Sequence, residues 1–232
     1  MLRAARSGDA VFRVYGFSVP TLSLGRNQRA RGCYDLPAAR SHGVTFVRRP
    51  TGGRALLHHR EVTYSVTLPA ASPADASAAY DFINTVLLDA LTRLGVPAVR
   101  AAAQPAIPPG LRPCFDVPSA HEIAVDGRKL VGSAQWRHGG ALLQHGSILV
   151  RDDQATIERL LLMPSPATPR AATLADALGF EPSIEQVAQP ILESLERTTG
   201  SPAAEFSMTA DVEQSVERLR ASYLGDAWTW RR

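Results

Sequence analysis

Two glycine-marked turns lying within 30 residues of each other constrain this chain more than any other feature. In HEIAVDGRKLVGSAQ, Asp126-Gly127 separates EIAV from KLVGSA. An Asp-Gly pair takes the positive φ angles whose twist joins two antiparallel strands. WRHGGALLQHGSILV repeats the arrangement, with Gly139-Gly140 at the turn. The spacing predicts consecutive hairpins.

Upstream, VFRVYGF and TLSLG read as short strands split by Ser18-Val19-Pro20. CYDLPAARSHG predicts a short helix and VTFVRR a β-branched strand. TGGRALLHH is a glycine-led loop running into EVTYSVTLP, where alternation of Val62, Tyr64 and Val66 predicts a strand with one buried face. A helix follows Ser72-Pro73, with Phe82, Ile83, Val86, Leu87, Ala90, Leu91 and Leu94 as its apolar face, and Gly95 and Pro97 end it. Residues 101–113 form a Pro/Ala-rich connector. Beyond Asp152-Asp153 the texture turns helical in TIERLLLM, TLADALG, SIEQVAQPILESLERTTG and ADVEQSVERLRASYL. The whole predicts an α+β fold of mixed and antiparallel sheets packed with helices. The pattern predicts one domain over 1–232, with a strand-rich core at about 10–151 and a helical portion at about 152–232, a separate C-terminal lobe being the alternative.

Composition removes several function classes. Hydrophobic residues make up 45% of the 232 and charged residues 20%, as in a folded domain. No apolar run approaches the roughly 20 residues of a membrane span, and the N-terminus does not read as a secretory signal. The net charge of +3 comes without a block of like charge, which argues against nucleic acid and suits an acidic protein partner. Cys33 and Cys114, in a chain without an export signal, point to the cytoplasm, with a structural disulfide as the alternative.

Three segments concentrate chemistry. RRPTGGRALLHH pairs glycines with Arg48 and Arg49, and glycines allow a backbone to approach a ligand closely. A plain turn with arginines on a solvated edge is the alternative. Cys114, in RPCFD, is a candidate nucleophile, whereas Cys33 reads as a small buried hydrophobe. GRKLVGSAQ holds Lys129, the single lysine among 25 lysine and arginine residues. Arginine stays charged and cannot serve as a tunable amine, whereas lysine can. An ammonium beside Cys114 would stabilise its thiolate, and Gly132-Ser133-Ala134 leave room for a ligand. For His58 and His145, a structural and a catalytic role stand side by side.

RRPTGGRALLHHREVTYS, GRKLVGSAQ and LQHGSILV together resemble the catalytic fold of lipoate–protein ligase A and biotin ligase, over nearly the whole chain. CFDVPSAHEIAVDGRKLVGSAQ most closely resembles the octanoyltransferases of lipoate biosynthesis. The resemblance implies transfer of octanoyl from octanoyl-acyl carrier protein to a lysine of a lipoyl-domain protein, such as glycine cleavage system H protein. It implies Cys114 as the acyl-thioester nucleophile and Lys129 as the residue that lowers the thiol pKa and contacts the acyl carbonyl. Arg49, Arg54, Ala55, Leu56, Leu57 and His58 would line the acyl pocket, with Gly132, Ser133 and His145 also facing substrate. No cofactor, metal, nucleic acid or membrane is expected. Two departures stand out: His58-His59 replaces the family's common His-Asp, and a strand and helix expected ahead of YGF are missing. The alternatives are an ATP- and Mg-dependent lipoate–protein ligase, which would not need Cys114, and a non-catalytic acyl- or lipoyl-domain-binding protein.

Overall fold

The computed structural model describes residues 8–70, 72–101, 122–163 and 169–232. Cys114 and nearly all of the Pro/Ala-rich connector lie outside them. Among the described residues nine strands form two sheets. The larger has the order β1-β5-β9-β8-β7-β6 and is antiparallel throughout: β1 Val11–Tyr15, β5 Glu61–Pro69, β9 Ala141–Leu149, β8 Arg128–His138, β7 Ile123–Val125 and β6 Val99–Arg100. The smaller has the order β3-β2-β4 (β3 Thr45–Arg48, β2 Thr21–Leu24, β4 Leu56–His58), with β2 parallel to β3 and antiparallel to β4. Helix α1, Leu36–Ser41, makes the crossover that a parallel pair requires. Asp35 caps it by accepting from Ala38 N at 2.9 Å.

Both hairpins form where the turn residues demand them. Asp126 and Gly127 have φ of 49° and 72°, and Gly139 and Gly140 have 55° and 77°, so each turn has two left-handed central residues.

One face of the larger sheet carries the main core. Helix α2, Pro73–Arg93, lies against it with Ile83, Val86, Leu87, Ala90 and Leu91 buried. Ser72 and Asp75 close a capping box at its start. Phe82, expected on the apolar face, is exposed, because one residue's rotation takes it off the stripe of Ile83 and Leu87. Helix α5, Ile184–Thr199, packs beside α2, and Ser194 Oγ donates to Asp89 at 2.5 Å.

The opposite face is also covered, which corrects the one-face reading of β5. Glu61, Thr63, Ser65 and Thr67 are all buried along with Val62, Tyr64 and Val66, because the smaller sheet and its loops close over that side. A second cluster of Leu22, Leu24, Tyr34, Val44, Ala55, Leu57, Ile157 and Leu160 sits on the smaller sheet. Gln154 seals β4 like a strand partner: its Oε1 accepts from Leu57 N at 3.0 Å and its Nε2 donates to Leu57 O at 2.8 Å.

The C-terminal helical segments are α3 (Thr156–Arg159), α4 (Leu174–Leu178), α5, α6 (Ala210–Leu224) and α7 (Asp226–Thr229). TIERLLLM is helical only over its first four residues. Leu161 then bridges to Tyr34, and Leu162 N donates to Cys33 O at 2.9 Å, so tertiary pairing overrides helical spacing. Among the described residues no helix is long and apolar enough to cross a membrane.

Candidate active site

Lys129 is aimed by an irregularity. In the β7–β8 pair Ala124 sits opposite Lys129, but Ile123 sits opposite Val131, so Leu130 is an extra residue on β8. Leu130, Val131 and Ile123 all belong to the core under α2. The bulge therefore turns Lys129 to the other side, where Gly132 also lies. Residues three apart would occupy opposite faces of a regular strand. Lys129 is 3% exposed. Its Nζ stands 2.8 Å from Oε1 of Glu122, which is itself 6% exposed.

Along β8 the small residues continue the same face: Gly132 pairs with Ser147 and Ala134 with His145. His145 Nε2 is 2.6 Å from Thr51 Oγ1, in the glycine-rich loop. Its pKa is pushed from 6.5 down to about 3, by burial first and then by Arg49 and His58, so its ring is neutral at ordinary pH. A neutral ring can both donate and accept a hydrogen bond.

Arg49 builds the loop that holds Thr51. Its guanidinium donates to Ser23 O and Oγ at 2.9 and 3.0 Å, Gly52 O at 2.9 Å and Arg54 O at 2.7 Å. A Cβ on Gly25 would collide with the carbonyl of Gly53, so β2 and the loop meet backbone to backbone. Arg48 is fully buried, not on a solvated edge. It donates to Gly25 O at 2.6 Å, Gln28 O at 2.8 Å and Thr229 O at 2.9 Å. Burial, then Arg231 and Arg232, lower its pKa.

Other expected pocket residues separate. Alternation along β4 sends Ala55 and Leu57 into the smaller sheet's core, while Leu56 packs on Leu149 and Ala171. His58 joins a buried chain. Its Nδ1 is 2.6 Å from Glu61 Oε1, its Nε2 is 2.9 Å from Ser23 Oγ, and Phe17 stacks on its ring at 4.3 Å. Thr63 donates to the same Glu61 oxygen. His59 pairs with Asp153 at 2.8 Å. Ser133 turns to the α2 side, where its Oγ is 2.7 Å from Tyr64 OH. Gln144 Nε2 donates to Tyr64 OH at 3.1 Å, and Gln135 Nε2 donates to Gln144 Oε1 at 2.9 Å and to Ala76 O at 2.9 Å.

The residues missed in the sequence are partners: Glu122 for Lys129, Thr51 for His145, and Glu61 and Ser23 for His58. His58 and Glu61 stand three apart across a tight turn, a spacing that was readable. Glu122 was not, since an unbulged hairpin would set it opposite Val131. Chemically, a buried ammonium beside a lane of small residues can stabilise negative charge on a sulfur or a carbonyl oxygen, and more strongly than in water.

Comparison with known proteins identifies the family and the fold. The family described as the lipoyl protein ligase A/B catalytic domain matches residues 1–196. Octanoyltransferase LipM of Kyrpidia tusciae is 38% identical over 95% of this chain and 86% of its own length. Octanoyltransferase LipM of Staphylococcus aureus is 33% identical, over 97% and 88%. Two solved structures share the fold. Lipoate-protein ligase A bound with ATP has a TM-score of 0.80 at 23% identity, covering 97% of this chain and 89% of its own. A bipartite lipoate protein ligase from Thermoplasma acidophilum, described with its E2 lipoyl domain, has 0.78 at 22%, covering 98% and 88%. The chain thus belongs to the lipoyl protein ligase A/B catalytic-domain family, as one of its octanoyltransferases.

Proposed function

We propose that this protein takes octanoyl from octanoyl-acyl carrier protein and gives it to a lysine of a lipoyl-domain protein, such as glycine cleavage system H protein, through a thioester on Cys114. The Cys114 thiol gives up its proton and its thiolate attacks the acyl carbonyl. A new C–S bond forms, the carrier's C–S bond breaks, and the carrier's sulfur leaves with the proton that Cys114 gave up. The acceptor lysine's amine then attacks. An amide forms, the C–S bond to Cys114 breaks, and the proton lost by nitrogen returns the thiol. Lys129 supports the oxyanion in both steps.

The observation that carries this reading is the buried Lys129–Glu122 pair, turned by the bulge onto the lane of Gly132 and Ala134. A thioester is already activated, so the reading needs no nucleotide, metal or other cofactor. It places the protein in the cytoplasm, where a free nucleophilic thiol persists.

The test is octanoyl transfer to an apo lipoyl domain, with and without ATP and Mg. ATP-independent transfer from the carrier thioester supports the reading. Transfer of free octanoate or lipoate that requires ATP would replace it with the ligase reading.

A further inference from the structure

A surplus of positive charge adjoins the candidate site. Arg26 N donates to Thr51 O at 2.8 Å, and Thr51 holds His145. The Arg26 guanidinium lies 5.5 Å from the Trp136 ring of β8. Arg231 Nη2 donates to Arg26 O at 2.5 Å, and its guanidinium stacks 4.1 Å from the Trp228 ring. Arg29 and Arg31 are exposed beside them. Arg31, Arg231, Tyr34, Leu36 and Trp230 line a cavity of about 470 Å³, with Asp226 the one acid on its wall among the described residues.

Several arginines elsewhere have acidic partners. Arg60 and Arg151 pair with Glu181, Arg93 and Arg197 with Asp89, Arg100 with Asp81, and Arg170 with Asp176. Among the described residues Arg26, Arg29, Arg31 and Arg231 form no ion pair. Arg26 and Arg231 are near enough to repel: the pKa of Arg231 is lowered by burial first, then by Arg26 and Arg232. The platform is also tied to the chain end by hydrogen bonds. Buried Arg48 ties Gly25, Gln28 and Thr229 together, and Ala30 N and Arg31 N both donate to Arg232 O, at 3.0 and 2.8 Å.

Building on the octanoyltransferase reading, we propose that the Arg26–Arg29–Arg31–Arg231 face docks the acyl donor, an acidic carrier protein whose arm is rooted in a phosphodiester. Arg26 and Arg231, placed over indole rings, and exposed Arg29 and Arg31 present guanidinium donors suited to carboxylate and phosphate oxygens. The acceptor suits this face less well, because it brings a lysine ammonium that the arginines repel.

The test separates docking from chemistry. Binding of acyl carrier protein is measured for the wild type and for the double variant Arg29→Glu/Arg31→Glu. Acyl-enzyme formation is measured in parallel from octanoyl-N-acetylcysteamine, a small neutral thioester. Carrier binding should weaken about tenfold or more in the variant, and its salt dependence should flatten. The rate with the small thioester should stay within about twofold, since exposed substitutions disturb a fold little. Arg231→Gln, a milder change, should weaken carrier binding in the same direction. Unchanged carrier binding in folded variants would overturn the proposal. So would equal loss with both donors, or weakened binding of the lipoyl-domain acceptor with carrier binding intact. Absence of an acyl-enzyme from either donor in the wild type would instead sink the acyltransfer reading, while carrier binding still decides the docking face.

Discussion

Lys129 Nζ and Glu122 Oε1 stand 2.8 Å apart, with both side chains almost excluded from solvent. A buried pair of this kind is weak evidence for stability, because desolvating two charges offsets their attraction. It lies on the same face of β8 as the small residues Gly132 and Ala134, where the proposed mechanism uses the ammonium.

The first prediction follows from that pair. Lys129→Arg keeps the charge but replaces a compact ammonium with a broad planar fork. Octanoyl transfer should fall about 100-fold or more, the scale of losing one oxyanion donor, while circular dichroism stays native. Glu122→Ala leaves a buried cation without this partner and should cost about 3–5 kcal/mol by urea denaturation. A folded Lys129→Arg enzyme with a near-normal rate would reduce Lys129 to a leftover cation.

The second concerns His145, whose folded pKa of about 3 lies below the ordinary 6.5. The unfolded chain then binds the proton more readily than the native state. The stabilisation is complete above about pH 6.5 and is lost as pH falls toward 3. Stability should therefore drop faster on acidification in the wild type than in His145→Gln, which can still bond to Thr51. By NMR the His145 ring should not titrate between pH 5 and 8; a midpoint near 6.5 would contradict its burial.

A third prediction contrasts two glycines. A Cβ at Gly146 would fall 2.6 Å from the Gly132 carbonyl oxygen, 2.6 Å from Tyr64 Cε1 and 3.0 Å from Ser133 Oγ. The backbone oxygen cannot swing aside, so Gly146→Ala should destabilise by about 2 kcal/mol or more. At Gly140 nothing lies within 4 Å, and only the φ of 77° opposes a side chain. Gly140→Ala should cost about 1 kcal/mol. Equal losses in thermal denaturation would show that β8 and β9 can separate at Gly146.

The fourth uses Arg48. Arg48→Met leaves the carbonyls of Gly25, Gln28 and Thr229 without their buried donor, and such groups cost about 1–3 kcal/mol each when unsatisfied. The last residues of the chain should then release from the 25–30 loop and become cleavable by trypsin at Arg231. An unchanged digestion pattern would show that the tail is held by other contacts.

Turn chemistry and apolar spacing made most elements readable, because Asp126-Gly127 and Gly139-Gly140 act locally. The aim of Lys129 was not readable. The bulge at Leu130 arises from pairing with β7 and from the core under α2, and both are distant in sequence. Arg48 and Arg49 posed the same difficulty. A paired arginine motif looks alike whether it meets solvent, a ligand or a ring of backbone carbonyls, and only the closure of β2, the loop and the chain end decided it. Alternation in β5 revealed one buried face. The other is lined by Glu61, Thr63, Ser65 and Thr67, whose burial depends on a second sheet that composition does not announce.

The central claim is a covalent octanoyl intermediate on Cys114, formed without ATP. Intact-mass analysis after mixing with octanoyl-acyl carrier protein, in the absence of nucleotide and acceptor, tests it most directly. The account predicts a single octanoyl adduct that neutral hydroxylamine removes and that is absent from Cys114→Ala. An adduct that persists in Cys114→Ala, or one that forms only when ATP is added, would contradict it.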